Sequence, residues 1–213
     1  TGNCNTAIGA CAMNTNTSGT NNTAVGKDSL LANTTGAQTT AIGSKAACSL
    51  TTAGSVTVLG HNAFSASTTG GETVAIGDNT MQCNTTGCRN VAIGNGTMFK
   101  NTTGECNTAV GRIALACNTT GVKNTAFGHE ALKANTTASN NTAVGTGAMF
   151  ANTTGTCNSA FGRDALCTNT TGNRNTAIGR DALNDNTTAS DNTAVGFESL
   201  CKNTTGTSNT AVG

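Results

Sequence analysis

The sequence predicts an all-β fold, a parallel β-solenoid of twelve coils with 17 residues each. A pentapeptide of the NTAIG type begins at Asn5 and recurs every 17 residues through Asn209, with no insertion or deletion. The chain has 27 Gly, six Phe and no Pro, Trp or Tyr, so it has too few large side chains for a conventional layered core. Such a strict period is typical of stacked coils, because each coil must stay in register with the next.

The consensus repeat is N-T-A-[IV]-G-x-x-A-L-x-x-N-T-T-G-x-x, and its positions are numbered 1 to 17. The first coil begins at Asn5, so the twelve repeats occupy residues 5–208. The β-branched pentapeptide predicts a short strand, and the NTTG segment predicts a turn. Gly occupies position 5 in every copy, which predicts a positive φ or a close backbone approach there.

Two columns, positions 4 and 9, are nearly always large and apolar, as at Ile8 and Leu115, and we predict that they form the core. With position 4 pointing inward, strand alternation turns the Ala of position 3 outward. A constantly small outward column would indicate close packing of another chain. In the alternative interpretation, position 3 faces inward in a crowded coil.

We expect a single solenoid over residues 1–213. Position 10 carries Cys48, Phe99, Phe150 and Cys201 at intervals of 51 residues, which predicts a second period of three coils. One interpretation is duplication of a three-coil block, and the other is a lateral partner contacted at every third coil. The predicted larger units are residues 5–55, 56–106, 107–157 and 158–208.

The charge pattern argues against two classes of partner. The 11 basic and 10 acidic residues nearly balance and form no basic run, so we expect no nucleic acid partner. No stretch of 18 apolar residues occurs, so we expect no membrane insertion of this segment. Ten Cys in so polar a chain favour an oxidising compartment, extracellular or at the cell surface.

The cysteines follow the repeat frame. Three of them occupy position 17, and each is followed by another Cys in the next coil; a further pair brackets one NTTG turn. The predicted disulfides are Cys4–Cys11, Cys83–Cys88, Cys106–Cys117 and Cys157–Cys167. Cys48 and Cys201 remain as free thiols or as interchain links.

Position 12 is Asn in ten coils, and each of these Asn begins an N-x-[ST] sequence, so glycosylation along one edge is one interpretation. The alternative is a ladder or turn of Asn with Thr beside it. The candidate sites are Asn16, Asn33, Asn84, Asn101, Asn118, Asn135, Asn152, Asn169, Asn186 and Asn203.

Nothing in the sequence indicates catalysis. His61 and His129 share a column but lie four coils apart, and neither has its own Ser or Cys nucleophile. No metal-ligand spacing occurs. We therefore expect no enzyme activity, no cofactor and no metal.

The motifs TVAIG (residues 73–77) and NVAIG (90–94), and the alternation of NTTG with NTAVG, resemble the head repeats of trimeric autotransporter adhesins and the repeat regions of phage and bacterial tail-fibre-like proteins. The resemblance covers the whole chain. It implies a left-handed parallel β-roll, association of three chains, and a surface that binds host or matrix components.

These observations predict an extracellular structural fibre or adhesin-like protein. We expect it to associate with copies of itself, laterally or end to end, and to present a variable surface to a host, matrix or glycan partner. One alternative is an ice-binding solenoid, in which regular Thr columns order water. The other, implied by the resemblance, is a trimeric tail-fibre shaft.

Overall fold

The computed structural model is an all-β parallel β-solenoid, as the sequence predicts, and it describes residues 2–213. Each repeat contributes one strand of three residues at positions 2 to 4, and turns and bends form the rest of the coil. The strands are β1 Thr6–Ile8, β2 Thr23–Val25, β3 Thr40–Ile42, β4 Thr57–Leu59, β5 Val74–Ile76, β6 Val91–Ile93, β7 Thr108–Val110, β8 Thr125–Phe127, β9 Thr142–Val144, β10 Ser159–Phe161, β11 Thr176–Ile178, β12 Thr193–Val195 and β13 Thr210–Val212.

The chain divides into two compact units, one ending at Cys106 and the other covering Asn107–Gly213. The boundary coincides with one of the boundaries between predicted 51-residue units. Within each unit consecutive strands pair in parallel, with every residue opposite the one 17 further on; Thr6 pairs with Thr23 in the first unit and Thr125 with Thr142 in the second. This register is what an indel-free repeat requires.

Position 3, not position 4, faces the interior. Ala24 and Ala177 are fully buried, whereas Ile8 is 59 % exposed and Phe127 is 55 % exposed. The prediction that position 4 belongs to the core was therefore wrong, as was the suggestion that another chain packs on position 3. The alternative, an inward position 3, is confirmed. Position 9 is buried as predicted, as at Leu115 and Leu166.

The reason is the narrow interior of the coil. Its space is taken by the large residue at position 9, the small residue at position 8 and the Asn side chains at positions 1 and 12, all of which are buried in most coils. Beside two Asn side chains, position 3 holds Ala, since protein interiors are close-packed; the larger Val58 is buried in coil 4, where Val56 and Ser67 replace both Asn. Strand alternation then turns positions 2 and 4 outward.

Two columns of buried Asn connect the coils. At position 12, Asn152 Nδ2 donates to Asn135 Oδ1 of the preceding coil (3.0 Å) and to the Gly155 carbonyl of its own coil (3.0 Å). At position 1, Asn141 Nδ2 donates to that same carbonyl (2.8 Å), and its Oδ1 accepts the backbone N–H of Asn158 (2.9 Å). These bonds satisfy polar groups that would be costly to bury without partners.

Coil 3 departs from this pattern. There the small Ala47 lies at position 9 and the large Leu50 at position 12, and both are fully buried. The large apolar side chain of this coil therefore comes from position 12 instead of position 9. The Leu interrupts the Asn column, and within residues 2–213 the buried Oδ1 of Asn33 has no hydrogen-bond partner. In coil 3, apolar packing by Leu50 therefore replaces the inter-coil hydrogen bond of the Asn side chain.

The prediction for Gly at position 5 is confirmed in both respects. Gly162 has φ of 135°, and a Cβ added there would lie 2.5 Å from the carbonyl oxygen of Gly179 in the next coil. The repeat also has three non-glycine positions with positive φ, namely 7, 9 and 17, as at Glu130, Leu132 and Asn140. A left-handed conformation costs about 1–2 kcal/mol for a residue such as Leu, so it persists only because the surrounding coil fixes it.

Candidate functional site: an uncharged apolar strand face

The outward side chains of the strands form a surface on each unit, which we call the strand face and define as positions 2 and 4 of the repeat. Position 4 supplies a column of apolar side chains spaced one coil apart, all of them partly or largely exposed. The column consists of Ile8, Val25, Ile42, Leu59, Ile76 and Ile93 in the first unit and of Val110, Phe127, Val144, Phe161, Ile178, Val195 and Val212 in the second. A contiguous apolar surface of this kind is characteristic of an interaction site.

Position 2 supplies a column of β-branched and hydroxyl side chains beside the apolar one. It is Thr in most coils, Val at Val74 and Val91, and Ser at Ser159. No residue at position 2 or 4 carries a charge. The strand face is therefore regular and uncharged, and most of its side chains are β-branched and stiff at χ1.

Charged residues lie in other columns and form ion pairs between neighbouring coils. Arg174 Nε lies 2.7 Å from Asp191 Oδ1, and Lys202 Nζ lies 2.9 Å from Asp185 Oδ2. These pairs are largely solvent-exposed and contribute little stability. Their placement leaves the strand face without charge.

Position 6 borders the strand face and is its most chemically varied neighbour. His61 Nδ1 lies 3.0 Å from Asp78 Oδ1 in the next coil. In the second unit, the Arg180 guanidinium stacks over the Phe197 ring at 4.6 Å from its centroid. Across residues 2–213 no group of three or more His, Cys, Asp or Glu residues is arranged to hold a metal ion.

All ten cysteines are free thiols in the structure, so none of the four predicted disulfides is formed. The pairing rested on closeness along the chain, but strand β1 lies between Cys4 and Cys11, and strand β10 lies between Cys157 and Cys167. In a solenoid, the neighbours of a residue are instead those about one repeat away. Cys48 and Cys201 are half-buried thiols.

Two of the half-buried thiols have distinct surroundings. The Cys48 Sγ donates to the Ser65 carbonyl at 3.4 Å. Burial raises the pKa of the Cys167 thiol, and the nearby negative charge of Asp164 raises it further. The Cys167 thiol is therefore a weak acid and a slow nucleophile.

The Asn of position 12 are structural, and their surroundings contradict the glycosylation interpretation. Eight of the ten side chains are fully buried, namely those of Asn33, Asn84, Asn101, Asn118, Asn135, Asn152, Asn169 and Asn186. Each donates its Nδ2, the atom that a glycan would occupy, to the carbonyl of position 15. Asn16 and Asn203, at the outer coils, are half-buried and donate in the same way. The alternative interpretation, an Asn ladder, is confirmed.

Two shallow grooves lie on the surface of the described residues. One of about 500 Å³ is lined by Lys45, Cys48, Asn62, Gln82 and Cys83, among others. A second, of about 230 Å³, lies between Asp181, Asp185, Glu198 and Lys202. Within residues 2–213, no helix has the length and apolar character needed to cross a bilayer.

Comparison with protein families, with curated proteins and with solved structures finds no match to this chain. The fold and the strand face define a class, the parallel β-solenoids with an exposed apolar sheet surface.

Proposed function

We propose that this chain is a structural, adhesin-like fibre segment that associates laterally with copies of itself through the strand face. The observation that carries the proposal is the exposed apolar column at position 4. Phe127 is 55 % exposed, Leu59 46 % and Phe161 41 %, although smaller or polar side chains would suit a surface in contact with water.

The repeat geometry favours a second copy of this chain as the occupant. Parallel strands stack at about 4.8 Å, so the strand face presents one apolar side chain at each such step. Another copy has the same spacing, and its side chains can interdigitate along the whole length of each unit. The lack of charge at positions 2 and 4 removes the repulsion that would otherwise oppose like surfaces meeting.

The wider role follows from the same features. The resemblance to adhesin heads and tail-fibre shafts, in which three chains associate, supports lateral assembly. We assign the fibre to the cell exterior, and we assign binding of a host, matrix or glycan surface to the variable columns 6, 7, 10, 11, 16 and 17. The role is structural and not catalytic.

The test compares two double variants by sedimentation velocity. In Phe127→Asp/Ile178→Asp, two charges enter the strand face; in the matched control Thr120→Asp/Thr171→Asp, the same charges enter exposed position 14 of the same unit. We expect the wild type and the control to sediment as oligomers and the strand-face variant as a 21.0 kDa monomer with an unchanged circular dichroism spectrum. An equal mass for all three proteins would refute the proposal.

Ice binding is the second candidate, and the Thr column of position 2 favours it. These hydroxyls lie on an outward strand and not only in the NTTG turn, so they form a regular row beside the apolar column. Thermal hysteresis at micromolar concentration separates the candidates. Hysteresis in the wild type that is lost in Thr125→Asp/Thr176→Asp would support ice binding, whereas its absence in the wild type leaves self-association alone.

A further inference from the structure

Two cysteines that are distant in sequence are neighbours across coils 5 and 6. Cys88 is at position 16 of coil 5 and Cys106 at position 17 of coil 6, and the Cys106 N–H donates to the Cys88 carbonyl at 3.2 Å. The same bond recurs in other coils, for example from Arg89 N–H to the Gly71 carbonyl, but in the first unit only this one has Cys at both ends.

The backbone separation suits a disulfide. Stacked strands lie about 4.8 Å apart, and an offset of one residue adds about 3.3 Å along the chain, which makes the diagonal about 6 Å. Disulfides form between Cα atoms roughly 4.4–6.8 Å apart. The backbone separation of these two cysteines therefore falls within the range of a disulfide.

An ion pair lies beside the two cysteines. Arg89 directly follows Cys88, and Glu105 directly precedes Cys106; the Arg89 Nη2 lies 2.6 Å from Glu105 Oε2. The pKa of Arg89 is raised, first by Cys88 and then by Cys106 and Glu105, which agrees with this placement. Cys88 and Cys106 therefore flank one ion pair between coils 5 and 6.

The rival partner in sequence faces elsewhere. Cys83 lines the groove that contains Cys48, and Cys88 is not among the residues that line it. Between Cys83 and Cys88 the chain passes through the NTTG turn, in which Asn84 and Gly87 are buried and Thr85 and Thr86 are exposed.

We propose that Cys88 and Cys106 form a redox-sensitive disulfide that links coil 5 to coil 6, formed by exchange with a small-molecule disulfide. The Cys106 thiol is exposed and reacts first. Its thiolate attacks one sulfur of the small disulfide, which makes a mixed disulfide and releases one thiolate. The Cys88 thiolate then attacks the Cys106 sulfur, forms the protein disulfide and releases the second thiolate.

Electrons and protons balance in this exchange. The two cysteines together lose two electrons and two protons, and the small disulfide is reduced to two thiols. The product closes a loop across one edge of the solenoid and restrains the unfolded chain. Reduction should therefore lower the melting temperature of the protein and reoxidation should restore it.

The test titrates the fully reduced chain with oxidised glutathione, alkylates the remaining thiols and digests it with trypsin and an endoproteinase specific for Glu. Cys106 then lies in a peptide of residues 106–112, and Cys83 and Cys88 lie together in one of residues 73–89. The variants Cys88→Ser and Cys83→Ser form a matched pair, because both cysteines are half-buried and share that peptide.

We expect the two peptides to be joined in the wild type, with the loss of two hydrogen atoms. The link should persist in Cys83→Ser and disappear in Cys88→Ser and in Cys106→Ser. A link that disappears in Cys83→Ser, a bond between Cys83 and Cys88, or glutathione adducts on Cys88 and Cys106 without a link would each overturn the proposal. The melting temperature supplies the second readout, since reduction should lower it in Cys83→Ser and leave Cys88→Ser unchanged.

Discussion

Asn152 donates its side-chain nitrogen to the side-chain oxygen of Asn135, one coil earlier, at 3.0 Å and with both residues fully buried. Asn169 donates to Asn152 in turn, at 2.9 Å. In the second unit, the interior is thus held together by a row of buried amides as well as by apolar contacts. Removing one member leaves buried polar groups without partners, which is costly in a low dielectric.

Replacing Asn152 by Ala should leave the Asn135 oxygen and one Asn169 donor hydrogen unpaired. Each buried, unsatisfied group costs roughly 1–3 kcal/mol, so we expect the free energy of unfolding to fall by about 3 kcal/mol in total. Urea denaturation measures the loss. The control Thr154→Ala alters an exposed residue of the same turn and should change stability by less than about 0.5 kcal/mol; equal losses would contradict the amide row.

The two glycine columns should respond differently to the same substitution. Gly162→Ala places a Cβ against a carbonyl of the next coil at a φ of 135°, and we expect a loss above about 3 kcal/mol. Gly155→Ala also brings a Cβ against a carbonyl of the next coil, that of Gly172, but its column already accommodates Ala, at Ala138 and Ala189, and its φ is not positive. Thermal denaturation of both variants checks the order, and a larger loss in Gly155→Ala would contradict it.

Substitutions of Leu166 and Phe161 should affect different properties, the first folding stability and the second self-association. Leu166→Ala removes a fully buried side chain and should cost about 2–5 kcal/mol of stability. Phe161→Ala truncates an outward side chain that is 41 % exposed, so we expect it to cost less than about 1 kcal/mol. Its effect should appear instead in self-association, because the oligomer should dissociate to monomer at a higher protein concentration than in the wild type. Stability losses in the reverse order would place position 4 in the core after all.

Alkylation of the Cys167 thiol should be slow. Burial and the charge of Asp164 raise its pKa, so at about pH 8 a smaller fraction is thiolate, and its rate should rise at higher pH than that of an ordinary thiol. In the reduced protein we expect iodoacetamide to modify Cys167 more slowly than the exposed Cys157, as followed by peptide mass. Unfolding in urea is the control and should make the two rates similar; equal rates in the folded protein would contradict the assignment.

The period predicted much of this fold from sequence alone. Gly at position 5 indicated the strained turn, and the absence of insertions fixed the register of each strand with the next. The facing of the strand could not be predicted, because a strand of three residues such as Thr125–Phe127 shows too little alternation. Which residue of the strand faces the interior depends on the volume inside the coil, where Leu132 and the buried Asn side chains leave room for the small Ala126.

The spatial neighbours of the cysteines were also not predicted from the sequence. Cys83 and Cys88 are close along the chain, and that closeness suggested a bond. Stacking instead makes neighbours of residues about one repeat apart, such as Cys88 and Cys106. The period contains this information, since a separation of 18 residues brings position 17 beside position 16 of the coil before it.

Sedimentation equilibrium of the unmodified chain tests the central claim, that the strand face is covered by further copies, most directly. At micromolar concentration we predict a mass that is a whole multiple of 21.0 kDa and that falls toward the monomer on dilution. A mass of 21.0 kDa at every concentration up to the solubility limit would contradict it.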